Sequence, residues 1–178
     1  MTASYGLMFC RIAIAVIFGW SALGKLRDLR GFRDAITAFR LLPRDWSAPL
    51  AWAFVGGEAA VVLLMLSGVP ALLGTGFVLA AGLLALFAVA LISAMRRALA
   101  VSCNCFGSSE QQISWYDVVR NVLLIVCSLL GGWLLTLPRR GLTIGETLLL
   151  GVMALCFVLL VTHVEDVAET LRQPFELQ

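Results

Sequence analysis

Five stretches of about twenty apolar residues dominate this chain, at 5–23, 48–66, 70–95, 118–137 and 145–164. A helix of about twenty residues spans the hydrocarbon core of a bilayer, and a stretch apolar on every side keeps no face for water. Transmembrane strands would need short alternating segments instead. Composition agrees: of 178 residues, 61% are hydrophobic and 13% charged, with a mean hydropathy of +0.96. Soluble domains run about 45–50% apolar and about 25% charged, so a soluble enzyme and a disordered chain are both excluded. The net charge of +2 offers no basic face for a phosphate backbone, and nucleic acid is not an expected partner. The expected partner is the lipid bilayer. The expected fold is all-α: a single integral membrane domain over residues 1–178, built as a polytopic helical bundle of about five spans.

The ends of the runs carry punctuation. Ser47 and Pro49 open the second, and Ser67-Gly68 closes it before Pro70 starts the third. Ser114 with Asp117, and Thr143 with Glu146, have capping-box spacing ahead of the last two runs. No Lys or Arg precedes the first run and no small-residue cleavage site follows it, so it is read as a retained span rather than a signal peptide. Two connections are tight, 67–69 and 138–144, and two are long, 24–47 and 96–117. Five spans then place both long loops and the C-terminal tail on one face, with the N-terminus and the tight turns on the other. Within the first long loop, Leu29, Phe32, Ala35, Ile36, Phe39 and Leu42 recur at helical spacing with Arg30, Arg33, Asp34 and Arg40 between them. That pattern predicts a short amphipathic helix lying in the interface. Trp20, Trp46, Trp52 and Trp115 fall near the same face, as an aromatic belt does.

The second long loop holds the chemistry: Ser102-Cys103-Asn104-Cys105-Phe106-Gly107. Thiols separated by one residue close a short, strained disulfide ring, and strain makes the bond labile and suited to exchange. Gly107 lets the backbone turn after the pair. A zinc site needs about four ligands, and His163, the single histidine, supplies one at most. An iron–sulfur cluster wants four thiolates, and Cys10, Cys127 and Cys156 lie inside apolar runs. No metal site is expected. Two unrelated reduced thiols stay open as a reading, since Cys-x-Cys alone is only moderately specific.

Charges inside the spans are costly and are usually protonated, paired or functional. Glu58 lies six to ten residues from the long-loop face, roughly 9–15 Å deep. Lys25 ends the first span and Arg120 begins the fourth, both on that face. A Glu58–Arg120 or Glu58–Lys25 pair is expected, with Asn121 adding a hydrogen bond. Such a pair either ties helices together or has its cation favour a thiolate, or receive a proton, during exchange. His163, closing the fifth span, is either an interfacial residue or a base towards Cys103 or Cys105. Cys127 and Cys156 stand equally far from the turn at 141–142. In an antiparallel hairpin they share a depth, which allows a second, embedded thiol pair; the competing reading is that buried cysteine acts as a small hydrophobe.

Read outward from the cysteines, the chain has Gly19-Trp20-Ser21-Ala22-Leu23-Gly24-Lys25, then 32–43, then Gly57-Glu58, then Cys103-Asn104-Cys105-Phe106-Gly107, and finally Arg120-Asn121. This order resembles the methylamine-utilisation MauE family of DoxX-like membrane proteins over roughly residues 10–125. The Cys-x-Cys-Phe-Gly block is its most specific part, and Asn104 stands where glycine is more usual. The resemblance implies an integral protein of the bacterial inner membrane in thiol–disulfide metabolism. It implies a thioredoxin-like partner and a disulfide-containing client such as methylamine dehydrogenase. Cys103 and Cys105 would then form the centre of a candidate thiol–disulfide oxidoreductase, with Lys25, Glu58, Phe106, Gly107, Arg120, Asn121 and His163 in support. No cofactor is certain from these residues, and a membrane quinone is one candidate. The alternative is a non-catalytic assembly or scaffold protein whose loop cysteines are structural.

Orientation divides the signals. Lys25, Arg27, Arg30, Arg33, Arg40, Arg44, Arg96, Arg97 and Arg172 lie on the long-loop face, against Arg139 and Arg140 on the other. The positive-inside rule puts the loop cysteines in the cytoplasm, whereas disulfide chemistry belongs to the oxidising outside. Many of those cations belong to the amphipathic segment, which packs on the interface, and the expected placement of the Cys-x-Cys loop is extracytoplasmic.

Overall fold

The computed structural model describes residues 2–38, 46–97, 115–138 and 140–162. They form six helices and, among the described residues, no strand: α1 Thr2–Arg27, α2 Leu29–Ala38, α3 Ser47–Leu66, α4 Pro70–Arg96, α5 Trp115–Leu134 and α6 Ile144–Thr162. All but α2 are long and apolar enough to cross a membrane. Their outward faces carry Leu63, Val78 and Ile144 at 69%, 75% and 82% exposure, a surface stable against hydrocarbon and not against water. The chain is a multi-pass membrane protein.

The local chemistry explains the helix ends. Asp28 interrupts the chain between α1 and α2, and its Oδ1 accepts the Gly31 N–H at 2.9 Å, an N-cap for α2. Along α2, Phe32 is buried while Arg30, Arg33 and Asp34 are exposed, the amphipathic division expected of an interfacial helix. Phe39 and Leu42 of the predicted pattern lie outside the described residues. Gly68, at φ +71°, turns the chain out of α3, a conformation that costs glycine nothing, and Pro70 starts α4. The Thr143–Glu146 capping box is formed: the Thr143 N–H donates to Glu146 Oε2 at 2.8 Å and the Glu146 N–H to Thr143 Oγ1 at 3.3 Å. Ser114 of the other predicted box lies outside the described residues.

Helix α1 is the axis. It packs on α3, α5 and α6, while α4 packs on α3 and α5. Helices α1, α3, α4 and α5 thus close a four-membered ring, and α6 lies against α1. The core is made of Ile14, Ile17 and Phe18 of α1, Val61 and Met65 of α3, Phe77 and Leu84 of α4, and Leu124 of α5, joined by Ala154 and Val158 of α6. Close approach is built with small residues, as lipid-embedded helices require. A Cβ on Gly131 of α5 would run into the Phe77 ring and meet the Cys10 Cβ at 3.1 Å.

The two ends of the bundle are distinct. At one, here called the turn face, Ser4 Oγ donates to the Arg140 carbonyl at 3.2 Å and accepts the Arg140 N–H at 3.0 Å, joining the start of α1 to the α5–α6 connection. At the other, the loop face, lie Lys25, α2, the start of α3, the end of α4 and the start of α5. Trp20, Trp46, Trp52 and Trp115 are exposed towards that end.

Candidate functional site: a buried ion pair beneath the loop face

Glu58 lies eleven residues beyond the first residue of α3, about 16 Å along the helix axis. Its neighbour α1 presents Ser21 and Lys25 one turn apart, on one helical face. Lys25 Nζ donates to Glu58 Oε1 and, at 2.8 Å, to Ser21 Oγ; Ser21 Oγ donates to the same Glu58 oxygen at 3.0 Å. Lys25 and Glu58 are 4% and 6% exposed, so each charge depends on the other at a depth where water is scarce. Phe32 of α2 closes the top, its ring centroid 5.2 Å from Lys25 Nζ, a distance at which the ring face attracts the ammonium. Phe54 of α3 holds Phe32 edge-on, with centroids 6.4 Å apart.

The second carboxylate oxygen, Glu58 Oε2, is buried and has no hydrogen-bond partner among the described residues. Beside it is a cavity of about 50 Å³ lined by Ser21, Lys25 and Glu58 on one side, Arg120 and Asn121 on the other, and Phe18, Phe54 and Phe87 between. A water needs about 10–15 Å³ of such space. The cavity therefore suits a few waters and not an aromatic ring.

Of the two partners expected for Glu58, the structure pairs it with Lys25. Arg120 Nη2 instead meets Asp117 Oδ1 at 3.0 Å on its own helix. The reason is topological: α1 packs directly on α3, whereas α5 stands across the ring from it. Asn121, 3% exposed, donates from Nδ2 to the Asp117 carbonyl at 2.8 Å and does not complete the Glu58 shell. Both residues nevertheless line the same cavity.

Cys103, Cys105, Phe106, Gly107 and His163 lie outside the described residues. The residues that flank 98–114, Arg97 just after α4 and Trp115 at the start of α5, are at the loop face, and Arg120 and Asn121 sit within two turns of the latter. The three cysteines in view are unbridged. Cys127 is buried on α5 with its thiol against that of Cys10 on α1, and Cys156 is exposed on α6. The structure thus brings Cys127 to Cys10 and turns Cys156 outward, because α6 packs on α1 rather than closing a hairpin with α5. Sequence reasoning missed Ser21 as the bridge, although its spacing of four from Lys25 was the available signal. The sequence pattern places Phe32 on the apolar face of an interfacial helix, and the structure makes it the cover of a cation as well.

A helical bundle with a buried ion pair and a small, mainly apolar cavity, in a chain that carries Cys-x-Cys between α4 and α5, defines a class of polytopic membrane protein. Comparison with known proteins narrows it. The model of the family described as methylamine utilisation protein MauE matches residues 3–134, which takes in α1 to α5 and leaves α6 outside. The methylamine utilization protein MauE of Paracoccus denitrificans is 36% identical over 121 residues, covering 67% of this chain and 64% of its own length. Its counterpart from Paracoccus versutus is 33% identical over 133 residues, covering 74% of this chain and 70% of its own. The chain belongs to the MauE family of methylamine utilisation. No solved structure matches it.

Proposed function

We propose that the chain is a membrane thiol–disulfide redox protein that exchanges disulfides through Cys103 and Cys105. The partner is a soluble thioredoxin-like protein. The client is a disulfide-containing enzyme of methylamine metabolism such as methylamine dehydrogenase, whose maturation the exchange serves. A thiolate on one side attacks the disulfide on the other, forming a mixed disulfide and releasing one thiolate. The second cysteine of the attacking pair then displaces the remaining partner thiol. Two thiols and one disulfide enter and leave, so the direction depends on the potentials of the two couples. Cys103, preceded by Ser102, is the outer thiol that meets the soluble partner. Cys105 is the inner one, held towards the membrane by Phe106, and Gly107 turns the chain behind it. His163 is a candidate base for either thiol. The loop faces the extracytoplasmic side of the bacterial cytoplasmic membrane, and a quinone is one candidate for the redox partner within the bilayer.

The observation that carries this reading is the buried Lys25–Ser21–Glu58 group, with its cavity reaching Arg120 and Asn121 at the base of the segment that bears the cysteines. Charged groups kept at membrane depth are expensive and are retained where they work, and a cation near a thiol raises its thiolate fraction. Embedded Cys127 and Cys10 do not enter the step. Changing Cys103 and Cys105 separately to serine tests it: each change is expected to abolish client disulfide formation while the protein still accumulates in the membrane. Client maturation that survives both changes would instead make the chain an assembly scaffold with structural loop cysteines.

A further inference from the structure

The turn face holds a second polar site that the redox reading does not use. Arg11 of α1 lies level with the last residues of α3, where its Nε donates to the Met65 carbonyl at 2.6 Å and its Nη2 to the Leu66 carbonyl at 3.4 Å. Those carbonyls are at the electronegative end of α3 and satisfy part of the guanidinium. A guanidinium has five N–H donors, and no carboxylate pairs with Arg11 among the described residues. Arg140 is the second cation here, bonded to Tyr5 Oη and, at 2.8 Å, to Glu146 Oε1. Two guanidinium groups thus stand against one carboxylate.

Between them is a cavity of about 310 Å³, with Arg11, Arg140, Ser4 and Thr147 as its polar walls and Leu7 and Leu73 as apolar ones. That space is many times what a single water needs, about 10–15 Å³. It opens at the level where α3 and α4 are joined through Gly68, the level at which spanning helices leave the hydrocarbon layer. An uncompensated cation at that depth wants an anion, and a planar donor fork suits phosphate oxygens in particular.

We propose that this cavity binds a phosphate oxyanion, held by the guanidinium groups of Arg11 and Arg140. The phosphate is that of a lipid headgroup seated from the bilayer or a free phosphate entering from water; the chemistry of recognition is the same. The apolar walls at Leu7 and Leu73 leave room for a substituent on the phosphate. Occupation would lock the start of α1 against the α3–α4 and α5–α6 connections, at the end of the bundle opposite the Glu58 cavity.

Thermal unfolding of the full chain in detergent, with and without dioleoylphosphatidylglycerol, inorganic phosphate or phosphate-free dioleoylglycerol, tests this. Phosphatidylglycerol is expected to raise the unfolding temperature and dioleoylglycerol to leave it unchanged. Arg11→Gln should weaken the apparent affinity about tenfold or more, as loss of a charge-assisted fork does. A rise with inorganic phosphate at millimolar concentration also supports the site and assigns its ligand to water; a rise with the phospholipid alone assigns it to the bilayer. If Arg11→Gln does not fold, Arg11→Lys keeps the charge without the fork and should still weaken retention of phosphatidylglycerol in native mass spectra. No stabilisation by either phosphate source, or full stabilisation of the Arg11 variants, would overturn the proposal.

Discussion

Lys25, in the last turn of α1, and Glu58, mid-way along α3, form an ion pair buried to 4% and 6% exposure in which one carboxylate oxygen takes both hydrogen bonds. The other oxygen is buried without a hydrogen-bond partner among the described residues. Such an arrangement is poor as a pure fastener, because desolvating two charges cancels much of their attraction. Glu58 Oε2 keeps hydrogen-bonding capacity for whatever enters the adjoining cavity.

Breaking the pair is costlier than removing it. Glu58→Gln or Lys25→Met leaves one buried charge alone, and each should cost about 3–5 kcal/mol. Lys25→Met combined with Glu58→Leu should recover most of that loss. Thermal unfolding of the three variants in detergent gives the ranking. A Glu58→Leu protein as stable as the parent would mean that the carboxylate carries no share of the fold.

Packing at the α4–α5 contact predicts a second effect. Gly131→Ala places a methyl group against Phe77 and Cys10, and overpacking of this kind costs about 1–3 kcal/mol. Phe77→Leu in the same chain should relieve part of it. Additive losses in the double variant, measured by thermal unfolding, would show that the two sites do not touch.

Much of this architecture is legible in the sequence, and what is legible is local. Apolar run length located the five spans, period and charge located α2, and the Thr143–Glu146 spacing located the cap of α6. The pairing of Glu58 was not decidable from spacing, since Lys25 and Arg120 both begin or end spans on the same face. Only the ring order, with α3 beside α1 and across from α5, chooses between them. The grouping of Cys127 with Cys156 assumed that consecutive spans pack together, whereas α6 takes its place on α1. Arg11 sits inside an apolar run, where spacing alone assigns it no partner. Its level with the end of α3 emerges only when the two helices are laid side by side.

The cysteines inside the spans should separate by environment. Cys156 is exposed on α6, and Cys156→Ala should stay within about 0.5 kcal/mol of the parent, as surface changes do. Cys127→Leu crowds Cys10 on α1 and should cost about 1–3 kcal/mol. Equal tolerance of both changes in a thermal unfolding assay would contradict the burial of Cys127.

The central claim is that Cys103 and Cys105 form an exchangeable disulfide. It is tested most directly by titrating the purified protein, with Cys10, Cys127 and Cys156 changed to alanine, across glutathione redox buffers and counting free thiols by alkylation and mass. An exchange-active pair gains and loses both thiols together, reversibly, within the range that glutathione sets. Structural disulfides have potentials below about −300 mV and resist that buffer. A pair that stays oxidised throughout, or two thiols that stay free under every oxidising buffer, would contradict the account.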